Sequence, residues 1–86
     1  MRRRRGKLQI FMDMLSAAMD GVKLTHLMYR ANLSYSSLRR YLDKALALGF
    51  IYKVNGDNDS YVVYRTTEKG RKLLRKLRDV EDCLKA

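Results

Sequence analysis

Two helical patterns lie on either side of a very short break in the sequence, and this spacing limits the possible folds more than any other feature. The first pattern covers residues 25–31, where Thr25 is the expected N-cap. Asn32 readily adopts the left-handed backbone that ends a helix, and Ser34 is a favoured N-cap for the next one. The second helix ends at Gly49, and its apolar residues follow helical spacing: Leu38, Tyr41, Leu42, Ala45 and Leu46. The sequence therefore predicts two helices joined by a tight turn.

A longer helical pattern precedes this pair and carries apolar residues on two faces. One stripe runs through residues 8–19, and the helix ends at Gly21. The residues of this stripe are Leu8, Phe11, Met12, Leu15, Ala18 and Met19. Ile10, Met14 and Ala17 form a second stripe on the other side of this helix. We expect one stripe to pack in the core and the other to form a second contact surface.

The remainder of the chain predicts a hairpin followed by a last helix. Residues 50–54 and 61–66 favour strands and flank a loop rich in Gly, Asn and Asp. Thr66 or Thr67 is the expected cap of a helix that runs to about residue 84. Its apolar residues are spaced 4, 3 and 4 apart, as in a heptad seam: Leu73, Leu77, Val80 and Leu84. This seam requires a packing partner, and a second copy of the chain is the one we expect.

The order of these elements is that of a winged helix-turn-helix. We predict a mainly α (α+β) fold with a two-stranded wing and a long C-terminal dimerisation helix. Residues 1–6 are expected to form a flexible basic arm, residues 7–66 the winged helix-turn-helix domain, and residues 67–86 the C-terminal helix. The predicted dimer interface combines the second stripe of the first helix with the heptad seam: Ile10, Met14, Leu73, Leu77, Val80 and Leu84.

The net charge of the chain points to a polyanionic partner. The chain has 19 Lys and Arg against 9 Asp and Glu, which gives a formal charge of +10. It has no apolar run that could span a bilayer, so we expect no membrane association. The single cysteine, Cys83, suits a reducing cytoplasm, and nucleoid association follows from the expected DNA binding. The residue pattern predicts no metal site, cofactor, small-molecule ligand or enzymatic centre.

The third predicted helix is the expected DNA-reading element. With Leu38 at the centre of its buried stripe, Arg40 points away from the core and can bind guanine O6 and N7 or a phosphate. The small hydroxyl groups near Ser34 can reach phosphates or base edges beside free backbone N–H groups. We predict DNA contacts from the arm, this helix and the flanks of the wing: Arg2, Arg3, Arg4, Arg5, Ser34, Tyr35, Ser36, Ser37, Arg39, Arg40, Lys44, Lys53 and Arg65.

Several of these residues also have an ordinary structural interpretation. Ser34 is foremost a helix cap, and Arg39 and Asp43 form a common i, i+4 surface pair. The arginine arm can equally be a solubilising tail or a localisation signal. What favours DNA binding is the combination of the helical pair with the high positive charge.

Two segments carry a resemblance to known proteins. The run Tyr29-Arg30-Ala31-Asn32-Leu33-Ser34-Tyr35, followed by Arg40-Tyr41, resembles the small archaeal winged-helix DNA-binding proteins. The segment Tyr64-Arg65-Thr66-Thr67-Glu68-Lys69-Gly70 is similar to the Y-x-L-T-x-K-G motif of many winged-helix regulators, with Thr66 in place of leucine. The resemblance implies a homodimer joined by antiparallel last helices, with DNA bound by the third helix and the wing.

Two functional hypotheses follow from the sequence. The first is a dimeric protein that binds double-stranded DNA, either as a transcriptional regulator or as an abundant chromatin protein. The second is a winged-helix module that binds RNA or an acidic protein partner.

Overall fold

The computed structural model describes residues 5–56 and 61–85, which form four helices and a three-stranded antiparallel sheet. In chain order the elements are α1 (Lys7–Ala17), β1 (Val22–Lys23), α2 (Leu24–Ala31), α3 (Tyr35–Leu48), β2 (Ile51–Asn55), β3 (Val62–Thr66) and α4 (Glu68–Lys85). The predicted mainly α (α+β) fold is confirmed. Arg2, Arg3 and Arg4 lie outside the described residues, as do residues 57–60.

The turn between α2 and α3 forms as the sequence predicts. Asn32 has a φ of 55°, in the left-handed region. The hydroxyl of Ser34 accepts a hydrogen bond from the backbone N–H of Ser37 at 3.2 Å and so caps α3. Gly49, with a φ of 80°, ends α3 in the left-handed conformation that an L side chain rarely adopts. These local residues fix where α3 begins and ends.

The sheet contains a strand that the sequence did not predict. In β1, Val22 pairs with Tyr64 and Lys23 with Val63, so the strand order is β1-β3-β2. The predicted two-stranded wing is thus part of a three-stranded sheet. A strand of two residues is too short to show the alternation of apolar and polar residues by which a strand is recognised in a sequence. Because β1 leads directly into α2, the predicted cap at Thr25 is wrong.

The start of α2 explains why Thr25 cannot be a cap. The helix begins at Leu24 and its N-cap position is Lys23, with extended backbone at φ −73° and ψ 158°. Thr25 therefore lies within the first turn of the helix.

A single core joins all four helices to the sheet. Its largest fully buried side chains come from every layer: Met14, Leu15, Leu27, Leu38, Leu42, Ile51 and Leu74. Each contributes about 1.5–3 kcal/mol through removal of apolar surface from water. The buried face of α3 includes Leu38 and Leu42, as the sequence predicts, and it leaves the opposite face of α3 in solvent.

Helix α1 contacts both α2 and α4, and it buries most of each predicted stripe within its own chain, although Leu8 stays exposed and Ile10 half-buried. Met14 has no exposed surface, and Ala17 is buried. The prediction that Met14 forms part of a dimer interface is therefore wrong, since its side chain is enclosed by the core.

The two threonines between β3 and α4 have different roles. Thr66 is buried, and its hydroxyl donates a 2.7 Å hydrogen bond to the carbonyl of Leu15 in α1. Thr67 is the cap of α4, because its Oγ1 accepts a hydrogen bond from the N–H of Gly70 at 3.0 Å. The same hydroxyl lies 2.7 Å from the carbonyl oxygen of Gly49 and donates to it.

The first turn of α4 is also fastened to the end of α3. The ammonium group of Lys69 donates a 2.8 Å hydrogen bond to the carbonyl of Leu48 and lies 5.0 Å from the ring centroid of Phe50. Gly70 packs against the backbone carbonyl of Phe50, and a Cβ at this position would also lie 2.7 Å from Cγ2 of Thr66. The segment that resembles Y-x-L-T-x-K-G thus joins α1, α3, the sheet and α4.

Candidate nucleic-acid interface

The face of α3 opposite the core is exposed and positively charged. Ser36, Arg40, Lys44 and Ala47 are exposed, and Ser37 is half-buried. This is the orientation that the buried stripe of α3 predicts. The exposed face combines short hydroxyl groups near the helix N-terminus with two long cationic side chains further along.

The N-terminal end of α3 is accessible from solvent. Ser34 and Ser36 are exposed, and their hydroxyl oxygens lie 3.4 Å apart. Tyr35, the first residue of α3, is also exposed. Backbone N–H groups in the first turn of a helix have no partner within the helix and favour an anion such as phosphate. This end of α3 can therefore accept a phosphate between several short donors.

Arg40 and Lys44 are the exposed cations of α3 that take part in no ion pair among the described residues. The guanidinium carbon of Arg40 lies 6.0 Å from the ring centroid of Tyr41, so the planar group rests near an aromatic face. A guanidinium held in this way presents its donors to solvent, where they can form paired hydrogen bonds with guanine or a phosphate.

Arg39 differs from Arg40 because its side chain is already bonded within the protein. Its guanidinium lies 2.6 Å from a carboxylate oxygen of Asp43, so the predicted i, i+4 pair is confirmed. The hydrogen bond with Asp43, and then one with Tyr64, raises the pKa of Arg39. The side chain is thereby held between α3 and the sheet, at the edge of the exposed face.

Arg5 is also bonded within the protein, although it lies in the segment of residues 1–6 that is predicted to be a flexible basic arm. Its guanidinium donates to the carboxylate of Asp13 at 2.8 Å, to the carbonyl of Ala31 at 2.7 Å and to the carbonyl of Asn32 at 2.6 Å. Arg5 therefore fastens the start of the chain to the turn between α2 and α3. These bonds use three of the five N–H donors of Arg5, so we assign it a structural role, while its contact with DNA stays a prediction.

The two predicted cations of the wing are not brought together. Lys53 stands opposite Tyr64 in the sheet register, and Arg65 stands opposite Tyr52. Because neighbouring residues of β3 point to opposite faces, Lys53 and Arg65 lie on different faces of the sheet. Both are exposed, so each flank of the wing offers one positive charge.

A further exposed aromatic side chain escaped the sequence analysis. Tyr29, in the last turn of α2, is 79% exposed, and its neighbour Arg30 is also exposed. A phenol and a guanidinium beside the turn are both able to bind phosphate oxygens. The signal was present in the sequence, because residues 29 and 30 lie outside the apolar stripe of their helix.

The predicted dimer residues fall into two groups in the structure. Leu73 and Leu77 pack partly against the core, and Ile10 is half-buried. Val80 and Leu84 are 54% and 82% exposed at the end of α4. An apolar groove of about 300 Å³ runs beside them between α1 and α4. The C-terminal half of the seam is therefore the part available to a second copy.

Within residues 5–56 and 61–85, no helix is both long enough and apolar enough to cross a membrane. The same part of the chain contains no group of three or more His, Cys, Asp or Glu side chains able to hold a metal ion. His26 and Cys83 are exposed single residues.

Comparison with known proteins agrees with the geometry. The chain is 36% identical over 78 residues to an uncharacterised protein of Methanocaldococcus jannaschii, and the match covers 90% of this chain but 34% of that protein. The chain thus spans about a third of the length of this relative. Its structure resembles that of Sso10a-2, a DNA-binding protein from Sulfolobus solfataricus, with a TM-score of 0.75 and 26% identity over 93% of this chain and 85% of the other.

The fold is also that of BldR, a transcriptional regulator from Sulfolobus solfataricus, with a TM-score of 0.74 at 20% identity over 90% of this chain and 56% of the other. A family model described as winged helix-turn-helix matches residues 4–85. Because this match spans nearly the whole sequence, the chain belongs to the winged helix-turn-helix family.

Proposed function

We propose that the protein binds double-stranded DNA as a homodimer, with α3 in the major groove. The observation that carries this proposal is the exposed face of α3, where Arg40 and Lys44 stand free of ion pairs among the described residues beside an accessible helix N-terminus. The DNA-binding description of Sso10a-2 supports the DNA-binding part of this proposal. A charge of +10 favours rapid association with a polyanion.

The residues of the proposed interface have separate roles. Arg40 is the candidate base reader, and Lys44 is a candidate phosphate contact one turn further along α3. Ser34, Tyr35 and Ser36 surround the phosphate-accepting end of α3. Ser37 would contribute through its hydroxyl, because its backbone N–H is bonded to the hydroxyl of Ser34. Their exposure supports these assignments.

Additional contacts would extend the interface on both sides of α3. We assign phosphate binding to Tyr29 on α2 and to one wing cation, Lys53 or Arg65, because the two wing cations face opposite sides of the sheet. Arg39, which is bonded to Asp43, supports the position of α3 instead of reading bases. The arginines of residues 2–4 are proposed to follow the adjacent phosphates or the minor groove.

Dimerisation would place two α3 helices on successive major grooves. The exposure of Val80 and Leu84 supports a contact through the end of α4, since apolar side chains on a monomer surface favour association. Ile10, Leu73 and Leu77 would complete the surface from their half-buried positions. We propose antiparallel pairing of the two α4 helices. The protein would then act in the cytoplasm, on the nucleoid, as a regulator or a chromatin protein without enzymatic activity.

A salt titration of DNA binding tests the electrostatic part of this proposal. If the dimer neutralises about six to ten phosphates, its affinity for duplex DNA falls by roughly 10³ to 10⁵ between 50 and 200 mM salt. Fluorescence anisotropy with a labelled duplex measures this slope, and the solution mass is determined in the same buffers. A flat salt response would contradict the proposal, and a monomeric mass at the concentrations that bind DNA would contradict the dimer.

RNA is the alternative ligand, and a competition experiment distinguishes it from duplex DNA. Unlabelled duplex DNA and structured RNA compete for the labelled duplex at equal nucleotide concentration. Because α3 fits the wide major groove of B-form DNA but not the deep, narrow groove of A-form RNA, DNA is the expected stronger competitor. Stronger competition by RNA would overturn the assignment of α3 to the major groove.

A further inference from the structure

An apolar groove with a positively charged rim lies between α1 and α3, beside the proposed DNA-binding face. Its floor is formed by apolar side chains of both helices and of the segment before β2: Leu8, Phe11, Tyr41, Leu48 and Phe50. Three cations, Lys7, Arg40 and Lys44, stand along one end. The two adjoining lobes have volumes of about 280 and 290 Å³, and we call the whole depression the basic-rimmed groove.

The floor of the basic-rimmed groove is more exposed than core packing requires. Leu8 is 57% exposed and Leu48 is 48% exposed, while the rings of Phe11 and Phe50 meet edge to face at 5.9 Å between centroids. Phosphate groups gain nothing from such a surface, so DNA binding by the rim cations does not explain it. An apolar floor beside a charged rim is typical of a surface that docks an amphipathic partner.

The charges at the groove define the chemistry of that partner. Lys7, Arg40 and Lys44 all carry positive charge, and no acidic side chain is among the described residues that line either lobe. Asp43, the acid of α3, is paired with Arg39. Electrostatic complementarity therefore favours a partner with acidic groups beside its apolar side chains.

The dimensions favour a helix as the occupant. Arg40, Lys44 and Leu48 follow each other at i, i+4 and i+8 along α3, which gives a stripe of roughly 12 Å at 1.5 Å per residue. This length matches two turns of a partner helix whose anchors lie at i, i+3 or i+4, and i+7. The two half-exposed leucines leave the groove open along its length instead of enclosing a small ligand.

A second copy of this chain does not supply such a helix. Asp79 and Asp82, two of the three acids near the end of α4, lie in a depression lined by Arg75 and Arg78 of the same helix. Glu81, the third of these acids, lies beside Val80, but α4 as a whole carries seven Lys and Arg against four Asp and Glu. The α4 helix of a second copy would therefore bring an excess of positive charge to the cations of the groove. An exchange of identical basic-rimmed grooves would bring like charges together.

We propose that the basic-rimmed groove docks an acidic amphipathic helix of another protein, and that this docking excludes DNA. The acids of the partner would bind Lys7, Arg40 and Lys44, while its apolar side chains would pack over Phe11, Leu48 and Phe50. The docking does not depend on the proposed function, but its consequence does. Because Arg40 and Lys44 belong to both surfaces, the acidic partner would displace the duplex.

A labelled peptide of about 16 residues, built from Glu, Ala and Leu with leucines on one helical stripe, is the probe for the groove. Its binding to the full chain is measured by fluorescence anisotropy at about 0.15 M salt. A scrambled peptide of identical composition carries the same charge without the stripe, and we expect it to bind at least about tenfold more weakly. Equal binding of the two peptides would overturn the proposal, because charge alone would explain the affinity.

Matched variants locate the binding. Leu48→Gln removes part of the apolar floor and is expected to weaken binding of the striped peptide by about tenfold. Val54→Gln changes a residue of similar exposure on the wing and is expected to leave peptide binding unchanged. Lys44→Gln is expected to weaken binding of the striped peptide more than Lys72→Gln does, although each substitution removes one exposed positive charge. Equal effects within either pair would contradict the groove. If Leu48→Gln instead lowers the solution mass, the groove is a contact between copies and the proposal is wrong.

Competition with duplex DNA tests the consequence separately. Saturating striped peptide is expected to release a labelled duplex, and the scrambled peptide is not expected to do so at the same concentration. A complex that contains both peptide and DNA would overturn the exclusion. If the chain binds the striped peptide with the variant pattern above but does not bind DNA, the docking is supported while the proposed DNA-binding function fails.

Discussion

Replacement of Arg5 tests the contacts that hold the helix pair to the start of α1. Arg5→Ala removes hydrogen bonds from one guanidinium to the carbonyls of Ala31 and Asn32, together with the ion pair to Asp13. The side chains of Arg5 and Asp13 are 28% and 32% exposed, so solvent reduces the worth of the ion pair to below about 1 kcal/mol. The better-shielded bond to Ala31 contributes about 1–2 kcal/mol, since a charged donor strengthens it.

The sum predicts that Arg5→Ala lowers the free energy of unfolding by about 1–3 kcal/mol, which corresponds to a Tm lower by roughly 4–20 °C. Urea titration monitored by circular dichroism measures the change, with both proteins at one concentration because the proposed dimerisation would shift the apparent stability. Arg30→Ala is the matched control, since Arg30 is an exposed arginine on α2. A loss below about 0.5 kcal/mol for Arg5→Ala, or equal losses for the two variants, would refute the structural role of Arg5.

Three further substitutions test the β3 to α4 junction and the DNA-binding face. Gly70→Ala would force a Cβ against the carbonyl of Phe50 and is expected to lower the free energy of unfolding, measured by urea titration, by at least about 2 kcal/mol. A Cβ at Gly6 meets no atom within 4 Å, so Gly6→Ala should change this free energy little. Thr66→Val removes the donor to Leu15 in a buried site and should cost about 1–2 kcal/mol, with most of the loss recovered in Thr66→Ser; equal stability of the Val and Ser variants would contradict this. Arg40→Ala should weaken duplex binding by about 1–3 kcal/mol, at one base position if it reads guanine and in all sequences if it holds phosphate, and an unchanged affinity would remove Arg40 from the interface.

The features that the sequence predicts correctly are those set by neighbouring residues. Asn32, Ser34 and Gly49 carry their own backbone preference or capping group, so the limits of α3 follow from a few adjacent positions. The buried stripe through Leu38 and Leu42 is equally local, because helical spacing alone places it. The orientation of the candidate DNA-binding face could therefore be predicted.

The features that were missed depend on residues far apart in the chain. Strand β1 exists because Val22 and Lys23 pair with β3, and no pattern within two residues can indicate that pairing. The bond from Arg5 to Ala31 spans 26 positions, so a run of arginines is indistinguishable from a free arm until the turn is placed beside it. Met14 was assigned to a partner because a second apolar stripe does not reveal that the core of the same chain encloses its side chain.

The bonds at the junction have a mechanical consequence for the proposed dimer. Lys69 binds the last carbonyl of α3, and Thr67 binds the carbonyl of its C-cap, Gly49. We therefore expect α3 and the first turn of α4 to move as one unit. In a dimer joined through α4, any change in the angle between the two α4 helices would be transmitted to both α3 helices. The distance between the two DNA half-sites that the dimer can bind would then depend on residues that touch no base. Lys69→Ala would allow the dimer to bind half-sites over a wider range of distances, while the base sequence recognised in each half-site would stay the same.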